Sequence, residues 1–313
     1  DQVSHPLGFS IMSAPIWVCG EVLVDLLPSS DGGERVAVVG GGPANTAKAL
    51  ARLGHQVEFI DGISTDHFGR SAQDELRKDG VGLRLSKISD KPTCQAIVNL
   101  DENGSAHYEF LIEGTATFDF SRSWLPEGHP SVLHVGTLAT VIEPGALELF
   151  EWAKKFSERV AIVFDPNVRP AVLSDSSKYR SVVEKWVGIS NVVKVSEDDI
   201  AWLYPAKSEE DVAREWLALG AELVVVTRGA DGLVGITKSD VISVPGVAVS
   251  VIDTVGAGDT VGAIIVEGVY KYGVSGLKGD VLKSVLLRAA KAASVTVGRR
   301  GAQPPFLHEI GEM

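Results

Sequence analysis

Cysteine is nearly missing from this chain: Cys19 and Cys94 are the only two among 313 residues. Two thiols cannot make the disulfide framework of a small secreted fold, and they point to a reducing compartment. Basic residues are also short. There are 29 Lys and Arg against 41 Asp and Glu, which leaves a net charge of −12. No long Lys/Arg run occurs, and a phosphate backbone needs basic patches, so a nucleic-acid partner is excluded. No apolar run approaches the roughly 20 residues of a membrane span. The seven histidines show no metal-ligand spacing with cysteine or with one another. Residues 1–11 lack the basic-then-apolar order of a signal peptide and read as a leader or tag ahead of Met12, with the cytoplasm as the default compartment. Internal repeats, linkers and low-complexity tracts are missing as well.

What is present is an ordinary globular composition, with 45% hydrophobic and 22% charged residues. The length suffices for a large core, expected as one domain over 12–313. Short β-branched runs alternate with helical periodicity. Expected strands are Ile16–Gly20, Val22–Leu27, Val57–Ile60, Ser131–Val135, Val160–Phe164, Asn191–Val195 and Leu223–Val226. Expected helices lie over the residues up to Leu53, then Arg70–Asp79, Pro144–Phe156 and Val281–Val297. This alternation marks a parallel sheet with crossover helices. Pro92–Leu111 differs, with alternating apolar residues around Asn103-Gly104, a strong hairpin signal.

The chemistry concentrates in Asp253-Thr254-Val255-Gly256-Ala257-Gly258-Asp259. The apolar run Val247–Ile252 before it suits a strand, and Thr260–Tyr272 after it has helical spacing. A glycine turn at a helix start gathers N–H groups and the positive end of the helix into an anion site. Asp259 beside such a site is either a helix cap or a base that takes a proton from a hydroxyl attacking a phosphoryl group. Near the other end, Gly40-Gly41-Gly42-Pro43-Ala44-Asn45 opens a helix, and Asn45 can both donate and accept. Asp25 in an apolar strand needs a partner, either a salt bridge or sugar hydroxyls. Asp165-Pro166-Asn167-Val168-Arg169 ends a buried strand, where open α/β sheets bind ligands.

The order D-T-x-G-A-G-D resembles the C-terminal motif of the ribokinase-like (PfkB) family of sugar and nucleoside kinases. G-G-x-P-A-N-x-A, the G-E-x-x-x-D of Gly20 to Asp25, and D-P-N-x-R are similar to its fructokinase branch. Asp66-His67-Phe68-Gly69 adds a D-x-F-G of the same family. The resemblance covers about residues 16 to 305. It implies a three-layer α/β/α ribokinase-like fold with a mostly parallel central sheet and a small β-sheet lid, built from about 22–38 and 92–112.

By the same resemblance, ATP with Mg²⁺ phosphorylates a primary hydroxyl of a small sugar, and a monovalent cation such as K⁺ is allowed. Asp259 is the expected base, with Gly256, Ala257 and Gly258 as the anion hole. Asp25, Gly40, Gly41, Asn45, Phe110 and Arg169 are expected at the sugar. Lys194, Thr227, Arg228, Gly229, Gly232, Gly256, Gly258 and Ala289 are expected at ATP. The family's N-x-x-E, which organises magnesium through water, is here Ser196 to Asp199, leaving Asp199 and Glu197 as candidates. Val261 stands where the family usually has an aromatic residue. Fructose is the favoured sugar, with ketodeoxygluconate, ribose and nucleosides as alternatives, and a homodimer through the lid is one expected assembly. Two rivals are weaker. Gly256, Gly258 and Gly262 space as G-x-G-x-x-x-G, unlike a dinucleotide turn, and no following βαβ half remains. A non-catalytic sugar sensor would have no need of Asp259.

Overall fold

The computed structural model describes residues 14–29, 32–100 and 106–313. The expected leader 1–11 and the Asn103-Gly104 turn lie outside the described residues. In chain order the first elements are β1 (Ile16–Cys19), β2 (Leu23–Leu27), β3 (Val36–Gly40), α1 (Gly42–Arg52), β4 (Val57–Ile60), β5 (Gly62–Ser64), α2 (His67–Lys78) and β6 (Lys87–Ser89). Next come β7 (Gln95–Leu100), β8 (Ala106–Leu111), β9 (Val132–Gly136), α3 (Gly145–Lys154), β10 (Ala161–Asp165), α4 (Ser176–Val187) and β11 (Val192–Ser196). The chain continues with α5 (Glu197–Leu203), α6 (Glu209–Leu219), β12 (Leu223–Thr227), β13 (Leu233–Ile236) and β14 (Val241–Val244). It closes with α7 (Ala257–Tyr272), α8 (Gly279–Val297) and α9 (Leu307–Ile310).

Eight strands form the central sheet in the order β14-β13-β12-β11-β10-β9-β1-β4. The strands from β12 to β4 are parallel, and β13 and β14 close one edge antiparallel. Successive residues of a strand face opposite sides, and each side has its own apolar layer. Ile162 and Phe164 pack with Trp152, Trp186 and Trp216 of α3, α4 and α6. Val163 packs with Leu50, Ile264 and Leu286 of α1, α7 and α8. The sheet is thus covered on both faces, which is why its central strands are apolar throughout rather than alternating. Several helices start on side-chain caps: Asp66 accepts from Gly69 N at 2.7 Å, and Ser196 accepts from Asp199 N at 3.1 Å.

A second sheet, in the order β3-β2-β7-β8, stands apart from the first. The register aligns Val38, Asp25, Ala96 and Phe110 in one row across it. Their side chains therefore share a face, the one turned to the central cavity.

One expected strand is absent. Val247–Ile252 is irregular, with Val247, Val249, Val251 and Ile252 between 43% and 62% exposed. β-branched composition favours a strand, but pairing makes one, and this segment pairs with no strand of the sheet. The N–H groups of Ile252 and Asp253 bond instead to Val297 O at the end of α8, at 2.8 and 3.2 Å. Among the described residues, no helix is long and apolar enough to cross a membrane.

Candidate active site

The carboxyl ends of β1, β9, β10 and β11 converge on the start of α7, where doubly wound sheets bind ligands. The cap of α7 is Gly256, with φ +79°. A Cβ there would be both strained and 2.7 Å from Ala302 Cβ, so only glycine admits the turn. The first amides of a helix have no acceptor within it. That of Ala257 reaches back to Thr254 O at 3.3 Å, which leaves the Gly258 and Asp259 amides for a ligand. The amide of Gly256, at the head of the expected turn 256–258, likewise meets no backbone acceptor among the described residues.

Asp259 lies in the first turn of α7, is 7% exposed, and turns its carboxylate into a cavity of about 300 Å³. It does not cap the helix. Its Oδ2 accepts from Asn45 Nδ2 at 2.9 Å, and its carbonyl oxygen accepts from Thr46 Oγ1 at 3.3 Å. The two glycine-rich stretches, distant in sequence, meet here. Each glycine of the N-terminal stretch makes room for a neighbour. Ideal Cβ atoms would lie 2.4 Å from Asp25 Oδ2 at Gly40, 2.4 Å from Glu21 O at Gly41, and 3.1 Å from Asp259 Oδ1 at Gly42. Burial pushes the Asp259 carboxyl up to about 6 against the opposing pull of Lys194. Asp25 is likewise pushed up to about 6 by burial, with Arg169 opposing. Both can accept a proton near neutrality, and a base works best when its pKa is near the working pH.

Asp25, Gly40, Gly41, Asn45, Phe110 and Arg169 all line this cavity. Arg169 is steadied by Asn167, whose Oδ1 accepts from its guanidinium at 2.8 Å. A second cleft, of about 500 Å³, is lined by Thr227, Gly229, Gly232, Val247, Val249, Ala290 and Ala293. Both spaces are bounded by Thr254 and Gly258. A group passing between them must cross the anion turn beside Asp259.

Four residues expected at the nucleotide do not line this cleft, and one of them, Gly256, lines the smaller cavity. Arg228 donates to Glu209 at 2.8 Å and lines a separate open depression with Glu197, because the acidic first turn of α6 draws its guanidinium away. Ala289 is fully buried in the core against the sheet, while Ala290 and Ala293 of the same helix line the cleft. Lys194 lines the smaller cavity, not the cleft. Glu21 was missed. It is fully buried, and its carboxylate accepts from Thr137 Oγ1 and from the amides of Leu138 and Ala139, fixing the loop on the cavity wall. Its signal was a second acid in the same apolar stretch as Asp25.

The family model for pfkB family carbohydrate kinases matches residues 15–309. The chain belongs to that family. A fructokinase of Rhizobium leguminosarum bv. trifolii is 36% identical over 252 residues, 78% of this chain and 76% of the relative. An Escherichia coli fructokinase is 31% identical, covering 93% of this chain and 95% of its own. The crystal structure of Vibrio cholerae O395 fructokinase, in a form with fructose, ADP and calcium ion bound, superposes with a TM-score of 0.80 at 29% identity, over 92% of this chain and 94% of that one. This pfkB chain is thus a carbohydrate kinase, a phosphotransferase acting on a sugar hydroxyl.

Among the described residues, no three His, Cys, Asp or Glu are grouped to hold an ion directly. Of the two candidates, Asp199 lies beside Asp165 and Lys194, its Oδ1 accepts from Val168 N at 3.2 Å, and burial pushes its carboxyl up to about 6. Glu197 faces instead the open depression beside Glu209 and Arg228.

Proposed function

We propose that this protein is a fructokinase, transferring the γ-phosphoryl of ATP to a primary hydroxyl of fructose. The observation that carries this reading is the shared wall of the two cavities, with the Asn45–Asp259 hydrogen bond on one side of Gly258 and the apolar cleft on the other. Asp25 and Arg169 orient the sugar, and Phe110 closes over it from the small sheet. Asn45 holds the Asp259 carboxylate so that it takes the proton of the attacking hydroxyl. As that oxygen bonds to phosphorus, the bond to ADP breaks. The amides of Gly258 and Asp259, with the helix dipole behind them, meet the charge on the group in transit. Thr227, Gly229 and Gly232 cradle the nucleotide phosphates, and Ala290 and Ala293 wall the base. Mg²⁺, organised by Asp199 through water, would neutralise charge on the phosphates when bound. A sheet that closes the cavity excludes water, the competing acceptor.

A coupled assay of ADP release with fructose, ribose, ketodeoxygluconate and adenosine tests the substrate. Fructose is expected to give the highest kcat/KM, and a tenfold preference for another acceptor would replace it. Exchanging K⁺ for Na⁺ in the same assay tests the monovalent cation.

The inner face of the small sheet also carries Leu27, Val36 and Tyr108, exposed by 38%, 53% and 51%. We read this strip as the seat of a second copy. Sedimentation as a monomer at assay concentration would rule that out. Both thiols are free and buried, and the reading places the enzyme in the cytoplasm.

A further inference from the structure

Asn167 is one of two non-glycine residues with a positive φ among the described residues, at +38°. It stands just past the end of β10, on the wall of the cavity that holds Asp25 and Asp259. Asparagine tolerates this left-handed backbone better than most residues, so the turn alone could select it. Its side chain says more. A guanidinium only donates, and Asn167 Oδ1 accepts from Arg169 at 2.8 Å. The amide nitrogen therefore turns the other way, toward Gly42 and Asp259. An ideal Cβ on Gly42 would lie 3.1 Å from Asn167 Nδ2 and 3.1 Å from Asp259 Oδ1. Both atoms thus border the space over Gly42, and no more than twice that distance separates them.

Each of the two is the open end of a held group. Asn45 occupies the other carboxylate oxygen of Asp259, and Arg169 occupies the amide oxygen of Asn167. Neither Oδ1 of Asp259 nor Nδ2 of Asn167 has a hydrogen-bond partner among the described residues. A hydroxyl oxygen lodged between them is within reach of both. The attacking hydroxyl of a sugar swings freely about its C–O bond. Attack needs its proton aimed at the base and a lone pair aimed at phosphorus. A donor on the remaining lone pair fixes that rotation. We propose that Asn167 is a catalytic residue whose Nδ2 donates to the attacking hydroxyl and turns its proton onto Asp259 Oδ1. This rests on the kinase reading above. The amide keeps its own protons: the hydroxyl proton passes to Asp259, the oxygen bonds to phosphorus, and the bond to ADP breaks. The missing side chain of Gly42 leaves the hydroxyl its place.

The test compares Asn167→Asp and Asn167→Gly with the unaltered protein. Both replacements suit a left-handed turn, so both should fold. Aspartate keeps an oxygen for Arg169 but offers no N–H, and glycine removes the side chain altogether. Both are expected to lower kcat about ten- to a hundredfold, with KM for ATP changed by no more than about threefold. A fructose analogue with hydrogen in place of the attacking hydroxyl should bind Asn167→Asp as it binds the unaltered protein, because the group that Asn167 meets is gone. Were Asn167 present only to steady Arg169, Asn167→Asp would keep normal turnover and Asn167→Gly would raise KM for fructose with kcat intact. Either of those results, or weaker binding of the analogue to Asn167→Asp, overturns the proposal. The kinase reading fails separately, through normal turnover by Asp259→Asn. If fructose is not turned over, the comparison is made with the acceptor that is.

Discussion

The two cavities that meet at Gly258 are made of opposite materials. On one side stand Asp25, Glu21, Asn45, Lys194 and Asp259, buried or half-buried, most of them held by another residue of the set or by a backbone amide. On the other side lie Val247, Val249, Val251, Ala290 and Ala293 around backbone amides, on a segment with little regular structure. A polyol presents only hydroxyls, so its site must hold donors and acceptors in fixed places, and an unmatched one costs dearly. A nucleotide presents an apolar ring and an anion, which need walls and N–H groups but few side chains. Substitutions on the polar side should therefore act steeply and on the chemistry or the sugar, and those on the apolar side shallowly and on ATP alone.

The steepest break is Asp259→Asn. It keeps the shape and the contact with Asn45 but removes the base, and kcat should fall by roughly a hundredfold or more with KM for ATP little changed. Near-normal turnover would remove Asp259 from the mechanism. The unaltered enzyme should lose kcat/KM on the acid side below about pH 6, where its carboxyl is pushed by burial. Stability moves the other way. Asp25, Asp199 and Asp259 are all raised from 3.8 to about 6. The native chain thus binds more protons than the unfolded one between these values. The stability these groups contribute is full below the lower value and lost as pH rises through the upper. Activity should therefore fall between pH 7 and 5 without any loss of Tm from these groups, and a scan of both quantities checks it.

Next in size is Asp25→Ala. A charged hydrogen bond contributes about 1.5–3 kcal/mol, so KM for fructose should rise about ten- to a hundredfold while KM for ATP stays put. A rise in both would mean that Asp25 shapes the small sheet instead of holding the sugar.

The polar side was also the more legible one in the sequence. Its residues sit at strand ends and in glycine turns, in the motifs whose family resemblance implied that they share one site. Asp259, Asn45, Asp25 and Arg169 all reach one cavity because the parallel sheet delivers every strand's carboxyl end to the same edge. Glu21 stood in the same motif as Asp25, but its partners, Thr137, Leu138 and Ala139, are distant in sequence and left its role unread. The apolar side was misread for a physical reason. Val247–Ile252 has the composition of a strand, and composition cannot say whether a sheet edge is free. Ala289 and Ala290 are equally small, and only the rotation of α8 decides which one faces the cleft. Arg228 was expected at the phosphates, but Glu209, on a helix with no sequence tie to it, accepts from its guanidinium at 2.8 Å.

The shallowest effect belongs to that segment and tests the comparison from its other end. Val249 is 43% exposed, lines the cleft, and touches the end of α8, with its Cγ2 3.7 Å from the place of a Cβ on Gly298. Covering about 30 Å² of such surface with a nucleotide base contributes about 0.75 kcal/mol. Val249→Ser should therefore raise KM for ATP about three- to fourfold and leave kcat and KM for fructose unchanged. A fall in kcat would mean that the irregular segment transmits strain to Gly256 through Thr254 and Val255. The apolar wall would then be part of the catalytic turn, and the division between the two cavities would have to be redrawn.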